Sequence, residues 1–221
     1  MKESAPTPGF EPRWPVVLAL LAVIVLMVLL PGRVSVLPFW VGYVLGCAVL
    51  TPIAAVGLTA AKPRWLRIER MVTLGFCVAI GVLTLVNLAN LIGAMLHRAT
   101  EINGLQLLAS SVAVWVTNVL IFSLLYWQID CGGPEARVRN TGTKPDWLFP
   151  QEGAPDEAVP PDWRPAFVDY LFLGYATATA FSTTDVMPLT SRAKLLMMLE
   201  STIALVTLVV VAARAINILG T

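Results

Sequence analysis

Apolar residues run along this chain in long blocks separated by short polar or charged breaks. The blocks are Trp14–Pro31, Val34–Ala61, Met71–Leu96, Leu107–Trp127 and Leu189–Leu219. At 1.5 Å of rise per residue, helices of these lengths reach across the roughly 30 Å of a bilayer's hydrocarbon. The pattern predicts an all-α protein, a polytopic transmembrane helical bundle of about five spans. One further apolar stretch, Phe167–Ala180, comes to only about 21 Å as a helix and is too short to span. It predicts a re-entrant half-helix, with the chain reversing over Ser182–Pro188.

Polar segments divide the chain further. Residues 1–13 form a polar, proline-containing tail, and the run after them has no small-residue cleavage site, which predicts a retained first span. Four transmembrane helices then occupy 14–127, with Pro38 and Pro52 kinking the second, and a basic hinge at Lys62, Arg64, Arg67 and Arg70 precedes the third. Residues 128–165 are rich in Pro, Gly, Asp and Glu, and read as an extramembrane loop tied down by Trp147, Leu148 and Phe149. The half-helix, its loop and the final span fill 166–221.

Composition narrows the function. The chain is 57% hydrophobic and 13% charged, against roughly a quarter charged in soluble domains, which leaves too little polar surface for a water-soluble fold. The HExxH, GxSxG and nucleotide-binding glycine patterns are all absent, so the reading is not an enzyme. The net charge is +1 with no basic patch interleaved with aromatics, so nucleic acid is not an expected partner. Cys47, Cys77, Cys131 and the single His97 are too scattered for a metal site or a disulfide framework, and no cofactor is expected.

Ten of the fifteen Lys and Arg residues fall in the tail, the hinge and the long loop. The positive-inside rule then places the amino terminus and that loop in the cytoplasm, with the chain multi-pass in the cell (inner) membrane. Trp14, Trp40, Trp65, Trp127 and Trp163 lie near the ends of runs, as rings at the headgroup level do. Ser110, Ser111, Thr117, Asn118 and Ser123 place polar groups on one side of the fourth helix, and that side should face protein. Asn87, Asn90 and Asn118 are expected to make helix-to-helix hydrogen bonds.

The segment TATAFSTTDVMPLTSRAK, Thr177–Lys194, resembles the pore loop of the two-span potassium-channel superfamily. Thr177, Thr179, Asp185, Pro188 and Thr190 carry the match, with Ala193 and Lys194 in place of Gly and Arg. From Trp115 onward the chain is also similar to uncharacterised bacterial polytopic membrane proteins that share WVTN, YW, GGP, FPQ and TAFSTTD. The channel resemblance implies a homotetramer with monovalent cations as ligands, and a lining of Thr177, Thr179, Phe181, Ser182, Thr183, Thr184 and Asp185. A potassium filter needs glycines for its carbonyl ladder, and residues 180–184 contain none, so hydroxyl rings and an Asp185 ring would replace it.

Glu200 and Thr207 are the polar groups of the final helix singled out beside that loop. A carboxylate inside a span faces a cavity or a partner, and Arg192 and Lys194 lie within two turns as ionic partners. Thr190 is also placed to cap that helix, with Asp185 and Pro188 shaping the turn before it. Two functions follow: a channel-like, homotetrameric cation path, or a non-conducting membrane scaffold that docks a partner through 128–165.

Overall fold

The computed structural model describes residues 12–29, 39–58, 63–97, 104–139, 143–155, 158–160, 163–180 and 185–219. Among them are seven helices: α1 (Trp14–Leu29), α2 (Phe39–Leu58), α3 (Pro63–His97), α4 (Gly104–Ile129), α5 (Pro134–Arg139), α6 (Phe167–Ala180) and α7 (Ser191–Leu219). Strands β1 (Trp147–Leu148) and β2 (Met187–Pro188) pair antiparallel, Trp147 opposite Pro188 and Leu148 opposite Met187. Three helices carry stretches long and apolar enough to cross a membrane, Arg64–Asn90, Leu108–Gly132 and Ser191–Ala213. Trp14–Val28 and Val44–Val56 are shorter apolar helices.

The predicted runs and the observed helices differ in one instructive place. The basic segment expected as a hinge is helical, because Pro63 sits at the first helical position, where a missing N–H costs nothing, and the residues after it continue the helix. The result is a helix of 35 residues, about 52 Å long, whose first turns carry Arg64, Arg67 and Arg70. The second helix continues through Pro52. Next to the proline, the Thr51 hydroxyl donates to the Cys47 carbonyl at 2.6 Å.

Helix α4 is the centre of the bundle and touches α1, α3, α6 and α7. Its polar residues behave as their spacing predicts: Ser110, Ser111, Thr117, Asn118 and Ser123 are all buried. Trp127 departs from its expected place at an interface, because it is buried and meets Phe167 edge to face at 6.1 Å. Asn118 makes the expected interhelical bond, donating to the Glu200 carbonyl at 3.1 Å. Asn90 is exposed, and Asn87 Oδ1 is buried without a hydrogen-bond partner among the described residues.

The segment after α4 folds back on the bundle. Cys131, Gly132 and Gly133 all take positive φ, of 52°, 83° and 101°, and this left-handed turn reverses the chain into α5. A methyl at Gly133 would meet the Gln128 carbonyl at 3.0 Å in addition to the backbone strain. Farther on, Trp147 and Phe149 are buried, as the sequence indicates, with Leu148 partly covered. The Trp147 indole lies 4.7 Å from the Tyr126 ring, and its Nε1 donates to Met197 Sδ at 3.3 Å. Replacing Trp147 by Ala is expected to remove about 3–5 kcal/mol of stability. Detergent melting of the purified variant measures this.

Candidate functional site

The site is built where α6 and α7 meet α4, and its geometry follows from two buried carboxylates. Asp130, at the end of α4, accepts the Asp146 backbone N–H at 2.7 Å on Oδ1 and the Tyr170 hydroxyl at 2.6 Å on Oδ2. Asp146 in turn accepts the Thr190 hydroxyl at 2.6 Å and Arg192 Nε at 2.6 Å, and it forms an ion pair with the Arg192 guanidinium. Its carbonyl takes the Leu189 N–H at 2.7 Å. Arg137 lies over the Tyr170 ring at 5.0 Å and donates to the Trp127 and Asp130 carbonyls at 2.8 and 3.0 Å.

Tyr170 belongs to the first turn of α6, and Arg192 to the first turn of α7, so both helices begin at the Asp130–Asp146 clasp. One and two turns deeper, α6 and α7 are still side by side. The Ser201 hydroxyl donates to the Thr177 carbonyl at 3.1 Å, and Gly174 packs against Glu200. Helices α6 and α7 therefore point the same way. The chain leaves α6 at Ala180, at the far end, and at Met187–Pro188 it is again beside β1 and the clasp. Ten residues, 181–190, can reach about 33–36 Å, ample for the roughly 21 Å length of α6. The chain thus returns to the end where α6 begins, residues 181–184 lying outside the described ones, and Phe167 to Lys194 do not form one continuous helix.

Glu200 is 0% exposed at this junction. Its Oε2 accepts the Tyr126 hydroxyl at 2.5 Å, while Oε1 is buried without a partner among the described residues. The ionic partners expected from sequence lie elsewhere: Arg192 is held by Asp146 and Lys194 is exposed. Close approach depends on Gly174. A methyl there would collide with Ser123 Oγ and stand 3.2 Å from both Glu200 Oε1 and the Val119 carbonyl.

The other residues singled out from sequence divide into three groups. Thr177 and Thr207 are buried, Thr207 donating to the Ile203 carbonyl at 2.7 Å and Thr177 Oγ1 lacking a partner among the described residues. With Glu200 they lie inside the bundle and not on its outer face. Thr179 and Asp185 are exposed, and the Thr179 hydroxyl bonds back to the Tyr175 carbonyl at 2.8 Å. Phe181, Ser182, Thr183 and Thr184 lie outside the described residues. Thr190 is the expected cap, accepting the Ala193 N–H at 3.3 Å three residues on.

Sequence reasoning missed Tyr126, Asp130, Asp146, Tyr170 and Gly174. Asp130 and Asp146 read as ordinary acids of a polar loop, and nothing local links Tyr126 to Glu200, 74 positions away. Comparison with protein-family models, with curated proteins and with solved structures finds no match to this chain.

Two substitutions probe the junction. Tyr126→Phe leaves Glu200 Oε2 without its donor and is expected to cost about 1–3 kcal/mol. Gly174→Ala gains about 1 kcal/mol of helix propensity, but forcing a methyl into a packed junction costs about 1–3 kcal/mol. Detergent melting is expected to show both variants below the wild type.

Proposed function

We propose that the chain is a multi-pass inner-membrane protein in which α6, the return segment and α7 form a re-entrant pore loop. Copies of the chain, four in the favoured arrangement, would assemble around it as a cation path without a potassium-selective filter. The observation that carries this reading is the shared direction of α6 and α7. A half-helix that enters from one side, a return to that side and a full-length helix from the same point together make a pore-loop unit. Around five crossings follow if α1 and α2 also traverse the bilayer.

Charge and exposure support the same reading. The starts of α1, α3 and α7, the end of α4 and the 128–165 segment share one end of the bundle, and most of the arginines and lysines gather there. That end is cytoplasmic by the positive-inside rule, so the pore loop enters from the cytoplasm. Asp185 is exposed and makes no hydrogen bond or ion pair with a described residue, which leaves its charge available to ions. The outward side chains of α7, among them Leu195, Met198, Leu205 and Leu208, are apolar and suit lipid or a second subunit. The scaffold alternative draws less support, because Trp147, Phe149 and Asp146 of the 128–165 segment are used inside the subunit.

Cation uptake into liposomes containing the purified protein tests the path. Wild type is expected to conduct, and Asp185→Asn to reduce flux roughly two- to tenfold at low salt, with a smaller loss at high salt and an unchanged melting point. Absent flux in the wild type would transfer the assignment to the scaffold. Cys131 lies beside the mouth of the fourth span but is half-buried against Asp130, so Lys144→Cys, at an exposed position, serves better for orientation. An impermeant thiol reagent should label that cysteine in inverted vesicles and not in intact cells.

A further inference from the structure

A cavity of about 340 Å³ opens where the starts of α1 and α3 meet the turn after α4. Its wall carries charges of both signs. Arg67 and Arg70, three residues apart on one face of α3, line it, and neither guanidinium pairs with a described residue. Glu69, between them in sequence on the same helix and only 3% exposed, also lines the cavity, with Oε2 in an ion pair with Arg13 and Oε1 buried without a partner among the described residues. Gly133 also lines the cavity, its Cα side facing the Arg70 guanidinium, and a Cβ there would stand at ordinary contact distance, 3.6 Å, from Arg70 Nε.

We propose that this cavity binds the headgroup of an ethanolamine phospholipid, with the phosphate on Arg67 and Arg70 and the primary ammonium at Glu69. The two guanidiniums, unpaired among the described residues, match a phosphate diester by charge-assisted hydrogen bonds. A headgroup with no cation would leave Glu69 Oε1 unsatisfied and would face its charge and that of Glu135, which also lines the cavity. A choline headgroup carries the positive charge but has no N–H to donate. Only a headgroup with both a phosphate and a donating ammonium satisfies the guanidiniums and Glu69 together.

The position of the cavity favours a lipid over a soluble phosphoethanolamine. Arg13 immediately precedes Trp14, which is 65% exposed, and an outward indole at a helix end marks the headgroup level. This inference rests on the membrane reading given above and is independent of ion conduction.

Native mass spectrometry of the full chain, delipidated in detergent, tests it with phosphatidylethanolamine, phosphatidylcholine and phosphatidylglycerol, and with soluble glycerophosphoethanolamine. Phosphatidylethanolamine is expected to bind at least about tenfold tighter than the other two lipids, the equivalent of one charge-assisted hydrogen bond. The double variant Arg67→Gln, Arg70→Gln, both exposed positions, should lose that binding by a similar factor while keeping its melting point. Glu69→Gln should bring phosphatidylethanolamine down to the level of phosphatidylcholine. Equal binding of the three lipids, a preference for phosphatidylglycerol, or undiminished binding in the arginine variant would overturn the assignment. Soluble glycerophosphoethanolamine binding as tightly as the lipid would also overturn it. Release of the chain from cell membranes by alkaline carbonate would instead count against the membrane reading itself.

Discussion

Asp130 and Asp146 are almost completely removed from water, and a carboxylate in that position is tolerated only when donors saturate it. Four donors come from three parts of the chain: the Asp146 backbone, Tyr170 of α6, and Thr190 and Arg192 at the start of α7. Satisfying the two acids thus fixes where both C-terminal helices begin. The shared direction of α6 and α7, the return of the chain to β2 and the folding of the 128–165 segment all depend on this clasp. Losing one partner would leave a buried charge uncompensated, a cost of about 3–5 kcal/mol.

Below the clasp, packing takes over from charge. Gly174 lets α6 approach α4 and α7 at the level of Glu200, and the Tyr126 hydroxyl occupies one oxygen of that carboxylate. Small residues continue the contact, with Ala178 and Ala204 buried against Val119. Polar contacts between helices are worth about 1 kcal/mol each in an apolar surrounding, so they set register more than they supply stability. The clasp decides where α6 starts, and the Gly174–Glu200 contact decides which of its faces turns inward.

The same interior changes how a pore loop in this chain has to be understood. Glu200 meets Tyr126 of α4 and Gly174 of α6, and Thr207 is buried with its hydroxyl on the Ile203 carbonyl of its own helix, so neither is on the outer face of the bundle. In the proposed path, ion contact falls to the return segment and to Asp185, while the outward face of α7 offers chiefly Leu, Met and Val. At the basic end, Arg67, Arg70 and Glu69, whose Oε1 has no partner among the described residues, share a cavity. Lipid headgroup and ion path would then occupy different parts of the same subunit.

Much of this architecture was legible in the linear sequence because length and hydrophobicity are local properties. The apolar runs located α1 to α4 and α7, and fourteen residues from Phe167 to Ala180 were too few to span and form a helix of that length. The buried polar face of α4, the Thr190 cap and the burial of Trp147 and Phe149 follow from spacing and residue type. The basic segment reads as a hinge from its charge density, and only the folded backbone shows that the helix continues through it from Pro63. Tertiary structure alone decided that Arg192 belongs to Asp146, that Glu200 belongs to Tyr126, and that α6 and α7 run in the same direction. Those pairings join residues 46 and 74 positions apart. A buried carboxylate takes whichever donor the folded chain brings to it, and sequence distance does not encode that choice.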